Sequence, residues 1–73
     1  MEKKDFDIKL GSVLKKHREK QGLYQSDVAK KLGVTSMAVS YWETGQRSMY
    51  AFQLRDYCHL LGLTTDEVFE EMK

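Results

Sequence analysis

The chain has 73 residues, a net charge of +1 and a single cysteine, Cys58, so residues 1–73 are predicted to form one small domain without an intrachain disulfide. No segment approaches the roughly 20 apolar residues of a membrane span, and the charged N-terminus lacks the apolar stretch of a signal peptide. The composition therefore predicts a soluble, cytoplasmic protein whose stability depends on apolar packing.

Charge is distributed unevenly along the sequence. Residues 1–55 contain 11 lysines and arginines against 6 acidic residues, whereas residues 56–73 contain one lysine against five acidic residues. This asymmetry favours a polyanionic partner for the basic portion, although ordinary solvated surface charge explains it equally well.

The first predicted helix is recognised by apolar residues at helical spacing, since sustained period-2 alternation is absent from the chain. Leu10, Val13 and Leu14 form its apolar side. Asp7 is expected to cap this helix, and Gly22 is expected to end it.

Residues 25–45 are predicted to form two short helices joined by a tight turn at Gly33, where glycine accepts a positive φ without steric cost. The second helix covers about residues 25–32. Thr35 is a good N-cap for the third helix, which Gly45 is expected to end.

Two further helices follow a polar loop. Ser48 is expected to cap the fourth, which ends near Leu61 and carries one apolar stripe of Ala51, Leu54, Cys58 and Leu61. Thr64 or Thr65 caps a short fifth helix, and the apolar side of that helix consists of Val68, Phe69 and Met72.

This pattern resembles the lambda-repressor-like, or XRE, helix-turn-helix regulators, which include phage repressors and Cro proteins. The resemblance covers about residues 9–70 and is carried by Arg18, Gly22-Leu23, Gln25, Val28-Ala29, Leu32-Gly33-Val34, Val39, Trp42-Glu43, Gly45, and Leu54…Leu61-Gly62-Leu63. It implies an all-α, five-helix lambda-repressor-like DNA-binding domain. In such proteins the second helix of the motif, here about residues 36–43, enters the major groove of DNA.

The resemblance also implies a DNA-binding surface. Small side chains near the start of the third helix let it approach base edges, where hydroxyls form hydrogen bonds and apolar groups contact thymine methyls. The residues expected to read bases are Thr35, Ser36, Met37, Ser40 and Tyr41. Those expected to bind phosphate are Tyr24, Gln25, Thr44, Gln46, Arg47 and Ser48, together with the backbone amides of the 45–48 loop.

Three further expectations concern single positions. The resemblance implies a structural ion pair between Arg18 and Glu43. Tyr24 stands where the family usually has a capping Ser, Thr or Asn, which predicts a weakly capped second helix or a phosphate contact by Tyr24. Met49 stands where proline is frequent, so the start of the fourth helix is left open.

The predicted function is sequence-specific DNA binding by a transcription regulator, a repressor, that acts as a homodimer on a palindromic operator in double-stranded DNA. Its dimer interface is expected on Val68, Phe69 and Met72. The alternative is an antitoxin, or another helix-turn-helix module, that binds a protein such as a toxin. Catalysis, cofactors and metal are not expected, because adjacent Cys58 and His59 point to different faces of a helix and His17 is interpreted as a packing residue.

Overall fold

The computed structural model describes residues 2–73, which contain five helices and no strand. The helices are α1 (Lys3–Lys20), α2 (Gln25–Leu32), α3 (Ser36–Thr44), α4 (Ala51–Leu60) and α5 (Thr65–Glu71). This confirms the predicted all-α, five-helix fold class. None of the five helices has the length and apolar character that a bilayer crossing requires.

One core joins all five helices. α1 packs against α3 and α5, α2 packs against α3 and α4, and α4 packs against α5. Every helix or its C-cap contributes to the buried apolar set, which consists of Leu10, Val13, Leu14, Val28, Ala29, Val39, Trp42, Tyr57, Cys58, Leu61, Val68 and Met72. The helix that carries the expected base-reading residues is therefore held from two sides, by α1 and by α2.

α1 and the end of α3 approach each other closely at two glycines. A Cβ atom at Gly11 would lie 2.2 Å from the carbonyl oxygen of Trp42 and 2.6 Å from that of Glu43. At Gly45, where φ is +79°, a Cβ atom would lie 2.6 Å from Cγ1 of Ile8. Side chains at these positions would push α1 away from α3, so the two glycines set the distance between the helices.

α2 and α3 form the predicted helix-turn-helix unit. Gly33 ends α2 in the left-handed region with φ +70°, and the N–H of Val34 donates to the carbonyl of Ala29 at 3.0 Å. Thr35 then caps α3 as predicted, because its Oγ1 accepts a hydrogen bond from the N–H of Ala38 at 3.1 Å.

Two predicted N-caps are wrong. α1 begins four residues before Asp7, because Phe6 continues the apolar side of the helix and packs against Phe69 with ring centroids 5.9 Å apart. α4 begins after Tyr50, and the predicted cap Ser48 instead donates to the Asp7 carboxylate at 2.7 Å. Both predicted caps therefore serve a contact between the first turns of α1 and the loop after α3.

The apolar stripe of α4 begins later than predicted. Ala51 is exposed in the first turn, whereas Tyr57 and Cys58 are fully buried and Leu61 packs at the end of the helix. The ring of Tyr57 therefore occupies the core, and the helix turns its first residues towards solvent.

α5 begins as predicted at a Thr64 cap, where the Thr64 Oγ1 accepts from the N–H of Glu67 and the Glu67 carboxylate accepts from the N–H of Thr64. Its apolar side is divided. Val68 is fully buried and Met72 is nearly so, because their spacing of four residues turns both into the chain's own core. These two side chains are not available to a second copy, which corrects the predicted dimer interface and leaves only Phe69, 37% exposed, at the surface.

Candidate nucleic-acid interface

Arg18 of α1 and Glu43 of α3 form a buried, bidentate ion pair. Nε of Arg18 lies 2.7 Å from Oε2 of Glu43, and Nη2 lies 2.9 Å from Oε1. The remaining Nη1 donates to the carbonyl of Leu23 at 2.7 Å. This planar, double contact joins the last turn of α1, the loop after it and the last turn of α3.

Two more side chains donate to the same carboxylate. Nε2 of Gln25 lies 3.1 Å from Oε1 of Glu43, and the hydroxyl of Tyr57 donates to Oε2. We call Arg18, Gln25, Glu43 and Tyr57 the carboxylate network. Because the network takes one residue from each of α1, α2, α3 and α4, it fixes four helices relative to one another at a single buried group.

The pKa of Glu43 reflects this arrangement. Burial is the largest single influence and by itself would raise the pKa of the carboxyl, but the hydrogen bonds from Arg18, Tyr57 and Gln25 outweigh burial and hold the pKa below its usual value. Burial also raises the pKa of the Tyr57 hydroxyl, and the hydrogen bond that this hydroxyl donates to Glu43 raises it further. The Arg18 guanidinium has a raised pKa because it donates to Glu43. Glu43 is therefore a stable, buried carboxylate.

The opposite side of α3 is polar and accessible. We call Thr35, Ser36, Met37, Ser40 and Tyr41 the reading surface; Thr35 is the N-cap of α3, and the other four lie among the first six residues of the helix. Met37 is 62% exposed, Thr35 and Ser36 are exposed, and Ser40 and Tyr41 are half-buried. No residue of this surface belongs to the buried core, although the Thr35 hydroxyl is used as the cap of α3.

The N-terminus of α2 is capped by the side chain of Asp27 and not by that of the N-cap residue, Tyr24. The Asp27 carboxylate accepts from the N–H of Tyr24 at 2.7 Å, while the Tyr24 hydroxyl makes no capping hydrogen bond and the residue is 75% exposed. The same arrangement recurs at α4, where Oε1 of Gln53 accepts from the N–H of Tyr50 at 2.9 Å. Both tyrosine hydroxyls are left exposed beside the helix-turn-helix unit.

The loop after α3 differs from the prediction in its backbone. The N–H groups of Gly45, Gln46 and Arg47 donate to the carbonyls of Trp42 and Tyr41, at 3.3, 2.9 and 3.2 Å. These amides complete the end of α3 and cannot bind phosphate as predicted, because their donors are already used. Thr44 likewise donates its hydroxyl back to the carbonyl of Ser40 at 3.1 Å.

The side chains of this loop differ in whether other residues of the protein already bind them. Cζ of Arg47 lies 4.8 Å from the centroid of the Tyr41 ring, which joins an expected phosphate-binding residue to the reading surface by a cation–π contact. Arg47 is exposed, and no carboxylate within residues 2–73 pairs with it. Gln46 is also exposed, whereas Ser48 is occupied by Asp7 and Lys3 of α1.

His17 is more than the packing residue that the sequence suggests. Its Nε2 lies 2.6 Å from Oε2 of Glu71, and Nζ of Lys16 lies 2.7 Å from Oε1 of the same carboxylate. Hydrogen bonds from Lys16 and then His17 lower the pKa of the Glu71 carboxyl. These contacts fasten the end of α5 to α1 and involve no residue of the reading surface.

Cys58 is a buried free thiol in α4. It is fully buried, and burial raises the pKa of its thiol, so the reactive thiolate is disfavoured. Within the part of the chain that the structure describes, no group of three histidine, cysteine or acidic side chains has a metal-binding arrangement.

Two functional features were missed from the sequence. Tyr57 lies three residues from Leu54 and four from Leu61, so its helical position gave a signal for burial but none for a hydrogen bond to Glu43. Gly11 interrupts an otherwise good helical pattern, and such an isolated glycine often has a packing reason. The sequence does not show which backbone it approaches.

Comparisons with known proteins agree with this geometry. The sequence profile described as a helix-turn-helix domain matches residues 9–71. Two crystal structures of the clp gene regulator ClgR from Corynebacterium glutamicum are similar at 26% sequence identity and 90% coverage of this chain, with TM-scores of 0.87 and 0.84. The matches cover 70% and 86% of the respective ClgR chains. A comparison with proteins of curated function finds no match.

Proposed function

The chain belongs to the helix-turn-helix domain family, and from this membership we propose that it is a sequence-specific, DNA-binding transcription regulator that acts as a repressor. The observation that carries the proposal is the division of α3 into a buried side and an accessible reading surface. Val39, Trp42 and Glu43 anchor the helix, while Ser36 and Met37 project from its start. The similarity to a clp gene regulator supports a role in transcription.

The reading surface has the chemistry that base recognition needs. The major groove is about 12 Å wide, and an α-helix fits into it when the helix carries small side chains where it enters. Ser36 and Ser40 supply hydroxyls, Met37 supplies an apolar contact for a thymine methyl, and Tyr41 extends further along the helix. These contacts determine sequence preference.

Phosphate contacts are proposed on both sides of α3. Arg47, exposed and stacked on Tyr41, supplies positive charge on one side. Tyr24 and Gln25 supply neutral donors at the N-terminus of α2, where helix polarity favours an anion. Such contacts orient the protein on DNA without distinguishing sequences.

A homodimer on a palindromic operator is the proposed binding form. Two copies related by a two-fold axis would place two α3 helices about 34–36 Å apart, in successive major grooves. Phe69 is the exposed remainder of the apolar side of α5, and we propose that it lies in the dimer contact. A dimer that covers a promoter represses by occupying it.

Selection of DNA from a random pool tests this proposal. We expect recovery of a palindromic site, with Ser36→Ala and Tyr41→Ala each changing discrimination at a base position by about 1–3 kcal/mol. Arg47→Ala is the matched control, since it should weaken binding to every sequence alike and flatten the salt dependence. Unchanged preference in both α3 variants would contradict the assignment of the reading surface.

A second candidate function is supported by one observation. The rings of Tyr50 and Phe52 are stacked with centroids 6.0 Å apart, and both side chains are exposed. An exposed aromatic pair fits a protein partner such as a toxin. Purification of the untagged protein from its native host separates the two functions, because an antitoxin would be recovered as a stable hetero-complex and the proposed repressor as a homodimer.

A further inference from the structure

Gln25 is held in one orientation by a buried carboxylate. Its Nε2 lies 3.1 Å from Oε1 of Glu43, and an ionised carboxylate accepts hydrogen bonds but donates none. The amide must therefore present its NH2 group to Glu43, since its own oxygen would be repelled there. This fixes the direction of a side chain that would otherwise rotate freely at the start of α2.

The held amide keeps a second donor. An NH2 group has two N–H bonds, and only one of them is used by Glu43. The other has no acceptor within residues 2–73, and Gln25 is only half-buried in the first turn of α2. Gln25 is the first residue of α2, so this amide belongs to the helix end whose first backbone N–H groups bind anions.

The negative charge of Glu43 does not oppose an approaching phosphate, because Arg18 neutralises it through two hydrogen bonds of 2.7 and 2.9 Å. Tyr57 makes the carboxylate rigid from the other side by donating to Oε2. Each carboxylate oxygen accordingly accepts two hydrogen bonds, and rotation of the group would break all four.

We propose that Glu43 and Tyr57 are positioning residues for DNA binding: Glu43 holds the Gln25 amide so that its free N–H meets a phosphate of the DNA backbone, and Tyr57 holds Glu43. The inference rests on the proposed function. Through this network, Glu43 in the last turn of α3 orients Gln25 at the start of α2. The helix that reads bases and the side chain that binds phosphate are therefore held by the same hydrogen bonds.

A double-mutant cycle tests the inference, with mixed-sequence duplex DNA as the probe and fluorescence anisotropy as the readout. Gln25→Ala is expected to weaken DNA binding about tenfold, because it removes the group that contacts phosphate. Tyr57→Phe is expected to weaken it about threefold, because it removes one of the hydrogen bonds that hold Glu43. In the Gln25→Ala background, Tyr57→Phe should have no further effect. Additive effects, or no effect of Gln25→Ala, would overturn the inference.

A matched control separates positioning from stability. Val68→Ala creates a cavity at a fully buried position but removes none of the four hydrogen bonds of the carboxylate network, so it lowers stability while leaving the donors to Glu43 in place. Its affinity for DNA should equal that of the unaltered protein once all affinities are referred to the folded fraction measured by circular dichroism. If Val68→Ala still binds DNA threefold more weakly after this correction, lower stability alone would explain the effect of Tyr57→Phe. That result would overturn the positioning role of Tyr57.

An NMR measurement needs no variant. In the DNA-free protein, the side-chain amide protons of Gln25 should exchange with solvent more slowly than those of exposed Gln46, because one of them is bound to Glu43. Equal exchange rates would overturn the inference while leaving DNA binding intact. Failure of the unaltered protein to bind any duplex would instead overturn the proposed function.

Discussion

The two sides of α3 differ in what their side chains contact. The buried side, Val39, Trp42 and Glu43, contacts α1, α2 and α4 through apolar packing and the carboxylate network. The reading surface contributes no buried residue to the core, and the Tyr41 side chain contacts the exposed Arg47 by a cation–π interaction. Substitutions on the first side should change folding, and substitutions on the second should change only what the protein binds.

This difference shows how one helix meets two requirements. A buried side chain is constrained by volume and by the need to satisfy every polar atom, and no buried side-chain polar atom within residues 2–73 lacks a partner. The reading surface is constrained only by a ligand that lies outside the chain. The buried side can therefore remain the same while the DNA sequence that is recognised changes.

The largest expected effect comes from Glu43→Ala. This substitution strands the Arg18 guanidinium in the core, and breaking a buried ion pair by removing one partner costs about 3–5 kcal/mol. Urea titration followed by circular dichroism measures the loss. Met37→Ala on the exposed side of the same helix is the control, with an expected change within about 0.5 kcal/mol. Equal losses would erase the proposed distinction between the two sides of α3.

Gly11→Ala tests the packing that holds the buried side in place. Alanine favours a helix over glycine, but its Cβ would lie 2.2 Å from the Trp42 carbonyl oxygen, so α1 and α3 must separate. Overpacking of this kind costs about 1–3 kcal/mol. Exposed Ser12→Ala, one residue along α1, should be neutral or slightly stabilising. If Gly11→Ala stabilises the protein, α1 and α3 can separate at this contact at little cost in free energy.

The buried side of α3 was largely predictable from the sequence, for physical reasons. Val39 and Trp42 share one helical face, and the glycines at 33 and 45 lie at helix ends where a left-handed residue is required. The resemblance to helix-turn-helix regulators supplied the pair of Arg18 and Glu43. The contributions of Tyr57 and Gln25 to this pair depend on distances between helices, which periodicity does not contain.

The helix starts were less predictable, because capping depends on competition between neighbouring groups. Asp7 and Ser48 are both good caps by residue type, yet they bind each other across 41 positions of sequence. Two tyrosines, which are poor caps, occupy the N-cap positions of α2 and α4 because Asp27 and Gln53 bind their backbone amides. The direction of the loop amides after α3 was likewise set by the unsatisfied carbonyls of Tyr41 and Trp42.

Acid should weaken the buried side without any substitution. The folded state lowers the pKa of Glu43, and that of Glu71, relative to the unfolded chain, so both carboxylates contribute stability that is complete above their ordinary pKa of about 4.3. This stability is lost as the pH falls through the lower, folded-state values. Thermal unfolding followed between about pH 7 and pH 3 should show a falling midpoint below about pH 4.5.

The loss in acid should be smaller than in Glu43→Ala, because a protonated carboxyl still accepts hydrogen bonds. Glu71→Gln isolates the Glu43 contribution, since it removes the titrating group that joins Lys16 and His17 at the surface. A melting midpoint that stays constant throughout this range, in both proteins, would contradict the lowered pKa values.

The smallest expected effect, and the one that separates folding from binding most clearly, is that of Tyr24→Ser. Tyr24 has the extended backbone of an N-cap, φ −88° and ψ 160°, but its hydroxyl makes no capping bond. The Asp27 N–H now donates to the Tyr24 carbonyl at 3.0 Å, and a serine hydroxyl can replace that carbonyl as acceptor and complete a capping box, which should raise the free energy of unfolding by about 0.5–1 kcal/mol. Little packing is lost, since Tyr24 is 75% exposed.

DNA affinity should change in the opposite direction, because the serine hydroxyl is used by the cap and the proposed phosphate contact of Tyr24 disappears. Thermal melting and anisotropy with the same duplex measure the two effects. Tyr24→Ala, which offers no cap, should weaken binding without the gain in stability. If Tyr24→Ser stabilises the protein and leaves affinity unchanged, Tyr24 has no role in phosphate binding. If it destabilises the protein, the tyrosine ring itself supports α2, and the division between scaffold and DNA-binding surface fails at this position.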